Sequence, residues 1–238
     1  MSDGDEHPTR EKEWYVPNFG PPRFRLFVGM TFLPYTLMNV SYVVTGSMLA
    51  PGAVNWVRVA EIATVYLFSV GISAHALDAL APNKPWGAFL TRAQLAALAS
   101  LGLFPALALG LYLALSYAPW LILVGLVEVF FLLTYNLELF GSRFHTEAWF
   151  AFSWGFLPVI AGFVAQTNSL GLQALAGGAF GFTTAYVEAN ASRPYKALKR
   201  RLGNPLLTDS ALRFERILKG VVASAISAAV FLVIFRLR

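Results

Sequence analysis

Seven apolar runs limit what this chain can fold into. They are Phe24–Leu49, Val54–Leu80, Ala93–Leu115, Trp120–Phe140, Ala148–Ala165, Leu170–Asn190 and Ile217–Phe235. Each is close to the roughly 20 residues that a helix needs to span a bilayer. Composition agrees. Of 238 residues, 57% are hydrophobic and 13% charged, with a mean hydropathy of +0.58. Soluble domains sit near 45–50% apolar and about 25% charged. The sequence therefore predicts an all-α, polytopic membrane helical bundle of about seven transmembrane helices. One helical domain covers residues 23–238, preceded by a short N-terminal arm, residues 1–22. In that arm Trp14, Tyr15 and Phe19 suit an interfacial aromatic belt.

The cations are unevenly placed. The N-terminal arm and every second connection carry Arg10, Lys12, Arg23, Arg25, Lys84, Arg92, Arg143, Arg193, Lys196, Lys199, Arg200, Arg201, Arg213, Arg216 and Lys219. The opposite side carries only Arg58, Arg236 and Arg238. That divides the 18 Lys and Arg as 15 against 3. The positive-inside rule then predicts a multi-pass protein of the cell membrane, N-terminus cytoplasmic and C-terminus outside.

This placement accounts for the net charge of +5 without nucleic acid as a partner. There is no cysteine, which removes disulfides, thiol chemistry and thiolate metal sites. Met1–Lys12 is polar and lacks the apolar core of a signal peptide. A seven-helix photoreceptor is disfavoured, because the last run has no lysine at its centre and Lys219 stands at its inner end.

The second run closes on Gly71-Ile72-Ser73-Ala74-His75-Ala76-Leu77-Asp78, then Asn83-Lys84-Pro85-Trp86. His75 and Asp78 are three apart and share a helix face. Ionisable residues in a membrane helix are costly and by default mark function. A similar arrangement recurs at the end of the sixth run: Glu188, then Arg193-Pro194-Tyr195-Lys196. Corresponding spans in two halves of a membrane protein often converge on one site. The connection Ala191–Asp209 is polybasic. It reads either as a segment held on anionic lipid or as a clamp for a phosphorylated ligand.

These residues resemble the UbiA-type intramembrane prenyltransferase superfamily. Ala74-His75-Ala76-Leu77-Asp78 stands in the place of that family's first aspartate-rich motif, N-D-x-x-D. Asn83-Lys84-Pro85 resembles the loop after it. Tyr135-Asn136-Leu137-Glu138 is similar to the family's Y-[ST]-P-x-x-K pattern, and Trp154-Gly155-Phe156-Leu157-Pro158-Val159-Ile160-Ala161-Gly162 to its W-G-x-x-P-x-x-G segment. Glu188-Ala189-Asn190 stands near the second acidic motif. The resemblance covers roughly residues 23–201. It departs where His75 replaces the first aspartate, where a third acid is missing and where seven spans replace nine.

The resemblance implies transfer of a prenyl group from a prenyl diphosphate to a lipid or aromatic acceptor at the cytoplasmic face, with Mg²⁺ bridging the diphosphate. It makes Asp78 and Glu188 the catalytic carboxylates and, with His75, the metal ligands. Asn39, His75, Asn83, Lys84, Tyr135, Arg143, Arg193 and Lys196 are the substrate-binding set. Mg²⁺ takes one or two carboxylates plus water and phosphate oxygens; imidazole suits Zn²⁺ or Fe better. A second function class stays open: a non-catalytic relative that binds an isoprenoid or quinone, or packs as a subunit of a membrane-protein complex.

Structural readings stand beside these. His75 and Asp78 can form a helix-end pair, and Glu188 can pair with Arg193. Asn39 can bond a neighbouring backbone. Tyr135 can anchor at the interface, and His145 and Glu147 can be solvated. Glu128, inside the fourth run, reads as a buried hydrogen bond to Tyr66 or Tyr112. Gly102, Gly110, Gly125, Gly155, Gly162, Gly177, Gly178 and Gly181 read as points of close helix approach.

Overall fold

A computed structural model describes residues 13–81, 90–199 and 205–238. Every regular element among them is helical. The chain runs α1 (Pro22–Met30), α2 (Leu33–Leu49), α3 (Trp56–Phe68), a π-helical turn (Ser69–Ala74) and α4 (His75–Leu80). It continues as α5 (Arg92–Ser116), α6 (Trp120–Asn136), α7 (Glu147–Phe150), a second π-helical turn (Ala151–Phe156) and α8 (Leu157–Thr167). It ends with α9 (Leu172–Lys199) and α10 (Pro205–Arg236).

Local chemistry starts these helices where they start. Asn55 caps α3 by accepting from the Arg58 N–H at 3.1 Å. Thr91 and Gln94 form a reciprocal capping box on α5, at 3.2 and 2.9 Å. The Thr146 hydroxyl accepts from the Trp149 N–H on α7 at 3.3 Å.

Five helical rods are long and apolar enough to cross a membrane: Pro22–Leu49, Trp56–Leu80, Arg92–Ser116, Glu147–Thr167 and Thr208–Arg236. The molecule thus has the build of a multi-pass membrane protein. The seven expected spans reduce to five on this criterion. α6 is apolar but only 17 residues long. α9 is 28 residues long and continues into polar sequence.

The rods run up and down. One end gathers the turns near residues 50–55, 117–120 and 167–171 and the C-terminal end of α10. There the Asn55 N–H donates to Gln166 at 2.9 Å, and the Trp120 N–H to Asn168 at 3.0 Å. Arg236 donates to the Ala50 carbonyl at 3.0 Å and also to the Gly52 carbonyl. The other end carries residues 13–21, the 137–146 connection and the cation-rich ends of α9 and α10; it is the basic end.

Two pairs of glycines set the inner packing. A Cβ on Gly46 would lie 1.9 Å from the Val159 carbonyl oxygen, and one on Gly162 would lie 2.0 Å from that of Val43. Only backbone fits there, so α2 and α8 touch backbone to backbone. Gly155 and Gly181 join the second π turn to α9 in the same way, at 2.2 and 2.3 Å. This is small-residue packing as membrane helices use it. Gly110 and Gly125 serve otherwise. Nothing lies within 4 Å of a Cβ on Gly125, and the nearest atom to one on Gly110 is 3.9 Å away.

Two expectations are corrected. Within the connection expected over 191–209, residues 191–199 and 205–209 are helical: α9 runs to Lys199 and α10 begins at Pro205. A polar helix can outlast its apolar stretch where one face stays packed, and Ala191, Ser192 and Tyr195 are buried. Nor do Trp14 and Tyr15 form an aromatic belt. Residues 13–16 fold into the basic end of the bundle, with Glu13, Tyr15 and Val16 at 4%, 5% and 7% exposure. The Trp14 N–H donates to the Tyr195 hydroxyl at 3.0 Å, and its indole N–H to the Tyr35 hydroxyl at 3.2 Å. The Tyr15 hydroxyl donates to Glu13. Phe19, at 68% exposure, stays outside.

Candidate functional site

Two π turns, both packed against α2, lie in the basic half of the bundle. A π turn adds a residue to the helical ladder and often accompanies function. The first delivers His75 and the second Trp154; their rings lie 5.7 Å apart. His75 is buried at 8% exposure. It stacks on Phe32 at 4.6 Å and 28°, and its Nε2 lies 3.4 Å from the Thr36 hydroxyl. Phe32 has a positive φ of 44°. That conformation is uncommon for a bulky residue, and packing holds it. Its ring sits between His75 and Tyr15, the latter at 4.7 Å. The Lys196 ammonium lies 5.4 Å from the same ring.

The second π turn has a local cause. Pro158 has no N–H, so the Trp154 carbonyl four residues earlier loses its helical donor. Asn39 replaces it: Nδ2 donates to the Trp154 oxygen at 2.8 Å. Asn39 therefore bonds a neighbouring backbone, as the structural reading expected. Its Oδ1 is buried and has no hydrogen-bond partner among the described residues.

Two acidic residues, Asp78 on α4 and Glu188 on α9, lie within electrostatic reach of one tyrosine on α6. That residue, Tyr135, also lies within electrostatic reach of Arg193. Glu188, on α9, is 5% exposed. It interacts with Tyr35 and Tyr42 on α2, and with Lys196 two turns further along its own helix. Asp78 is half-buried at the end of α4. Tyr135 thus links Asp78, Glu188 and Arg193, and Glu188 links to Lys196, while His75 and Asn39 meet the second π turn at Trp154. Arg143 lies exposed on the 137–146 connection. Asn83 and Lys84 lie outside the described residues.

Glu188 and Arg193 do not form the expected ion pair. Arg193 instead pairs with Glu147 and donates to the His145 carbonyl at 3.2 Å. His145 and Glu147 are thereby corrected from solvated residues to structural ones. His145 also stacks on Tyr135 at 4.4 Å and 24°, with its Nδ1 3.0 Å from the Tyr135 carbonyl oxygen. The connection before α7 is thus tied to α6 and α9.

The cluster contains polar atoms with unmet capacity. Glu188 Oε2, Asn39 Oδ1, Trp154 Nε1, Ser73 Oγ and Ser192 Oγ are all buried without a hydrogen-bond partner among the described residues. Most buried polar atoms in folded proteins have a partner, and exceptions ask for a reason. Among the described residues no three His, Asp or Glu side chains come together as a metal cage.

An apolar cavity of about 490 Å³ adjoins the cluster, between α3, α5, α6 and the α7–α8 rod. Its wall includes Tyr135 and Trp154 but not His75, Asp78 or Glu188. Within it the Tyr66 hydroxyl donates to Glu128 Oε1 at 2.7 Å, the partner expected for that carboxyl.

Five long apolar rods and a cluster of buried polar residues at the basic end give the chain the build of a helical multi-pass membrane protein. The chain matches no known family model, none of the curated proteins and no solved structure.

Proposed function

We propose that the polar cluster at the basic end binds the head of a prenyl diphosphate, and that the chain is a divergent, UbiA-like membrane prenyltransferase. Its seven rods would all cross the membrane, with the basic end cytoplasmic. The observation that carries this reading is the buried Glu188, whose Oε2 has no hydrogen-bond partner among the described residues. A carboxyl buried in a membrane helix is costly without a partner. Arg193 and Lys196 would offset the charge of a diphosphate. Mg²⁺, arriving with the diphosphate, would use Asp78 and Glu188; one or two carboxylates are its usual protein share. When bound it would stabilise the leaving diphosphate. Phe32, Tyr35, His75 and Trp154 would keep water from the reacting carbon, and Tyr135 would orient the head through Arg193.

The test is equilibrium binding of geranylgeranyl diphosphate to the purified protein, with and without Mg²⁺, followed by transfer to a lipid or aromatic acceptor. Asp78→Asn and Glu188→Gln keep shape and remove charge. Each should weaken binding at least ten-fold with the fold intact. If the wild type binds no prenyl diphosphate under either condition, the reading fails. The second reading is then favoured: a non-catalytic isoprenoid- or quinone-binding protein, or a membrane-complex subunit. The lack of a three-ligand acidic group among the described residues supports that alternative.

A further inference from the structure

We propose that the cavity between α3, α5, α6 and the α7–α8 rod, which adjoins the basic-end cluster at Tyr135 and Trp154, binds a long-chain lipid alcohol. The alcohol would enter from the bilayer, with its hydroxyl on Glu128. This does not rest on the prenyl-diphosphate reading, because no cation lines the cavity.

The space comes from the sequence. Gly110 and Gly125 face each other across it from α5 and α6, and neither is needed for close helix contact. Larger residues there would fill the void. The wall follows α6 from Leu121 to Asn136. At 1.5 Å per residue that is about 22 Å, a slot suited to an extended chain. Its volume lies within the roughly 300–1,000 Å³ of small-molecule sites. Leu111, Ile122 and Leu126 belong to the wall and are also exposed on the bundle surface. The slot therefore opens sideways, toward the space a bilayer would fill.

Glu128 supplies the chemistry. It stands midway along α6, where a carboxyl is expensive. Tyr66 takes one of its oxygens, and no other hydrogen bond reaches this side chain among the described residues. A carboxyl has capacity beyond one bond in either protonation state: further acceptor sites when charged, an O–H donor when neutral. A hydroxyl both donates and accepts, so it suits either state. A ketone only accepts, and an ammonium only donates.

The experiment uses purified full-length protein in nanodiscs and a photoreactive diazirine analogue of geranylgeraniol. Competitors are unlabelled geranylgeraniol, the hydrocarbon lacking its hydroxyl, and the corresponding amine. Labelling should map to α3, α5 and α6. The alcohol should compete about ten-fold better than the hydrocarbon, the size a hydrogen bond to a carboxyl implies. Glu128→Leu should remove that preference, and Glu128→Gln should keep part of it. Gly125→Leu or Gly110→Leu, each checked for folding by gel filtration, should abolish labelling. Equal competition by alcohol and hydrocarbon on the wild type overturns the proposal. So does preference for the amine, labelling confined to other helices, or labelling that survives both filled-glycine variants.

Discussion

The Asn39 amide donates to the Trp154 carbonyl at 2.8 Å, from one helix to another. It stands in for the N–H that Pro158 lacks. The pair links the proline, the π turn it accompanies and the placement of Trp154 beside His75.

Removing Asn39 should therefore be costly, and restoring the missing N–H should recover part of the cost. Asn39→Ala leaves a buried carbonyl without its donor and should destabilise by about 1–3 kcal/mol. Pro158→Ala supplies a backbone donor for the same carbonyl. A double-mutant cycle, read by unfolding in detergent, should show less loss in the double variant than the two single losses added. Strict additivity would mean the two residues do not share that carbonyl.

The glycines sort into two groups with opposite expected behaviour. Gly46→Ala and Gly162→Ala drive a methyl into a backbone carbonyl and should each cost about 1–3 kcal/mol, as overpacking does. Gly125→Ala meets nothing within 4 Å. It should be neutral or stabilise by up to about 1 kcal/mol through helix propensity. Melting temperatures of the three variants provide the check. Equal losses at Gly125 and Gly162 would contradict the packing described.

Residues 13–16 should contribute to stability despite preceding the first helix. Trp14→Ala loses ring packing and an indole hydrogen bond, and should cost on the order of 3 kcal/mol. It should also open the basic end to limited proteolysis. A variant that melts and digests like the wild type would show that the segment merely rests on the surface.

The proposed seven crossings would put the two termini on opposite sides of the membrane. The chain has no cysteine, so single cysteines at Ser2 and after Arg238 report cleanly. They should react with an impermeant maleimide from opposite sides of sealed vesicles. Labelling of both from one side would rule out an odd number of spans.

The apolar runs located the rods well, because hydropathy marks where a helix meets lipid. Val54–Leu80 became Trp56–Leu80, and Ala93–Leu115 became Arg92–Ser116. They failed where helix and lipid contact part company. α9 extends nine residues past Asn190, and α10 begins twelve before Ile217. The fourth run ended early, at Asn136, because Glu138 and Phe140 take positive φ. At the site, the end-of-span positions of Asp78, Tyr135 and Glu188 were legible, since ionisable and polar residues stand out there. Their partners were not. Arg193 bonds residues 46 and 48 positions away, and no local spacing rule encodes that. Pro158 was visible as a motif residue, but the need for Asn39 to replace its N–H was not.

The Trp14–Tyr195 hydrogen bond joins residues 181 positions apart. The first of these leaves the ribosome early. At about 5–20 residues per second, it waits roughly ten to forty seconds for the second. Trp14 also needs Lys219, whose ammonium lies 5.6 Å from its ring. Trp14 can take these contacts only once α9 and the start of α10 are in place. Its docking closes the basic end over Phe32 and His75 only once the interior is built.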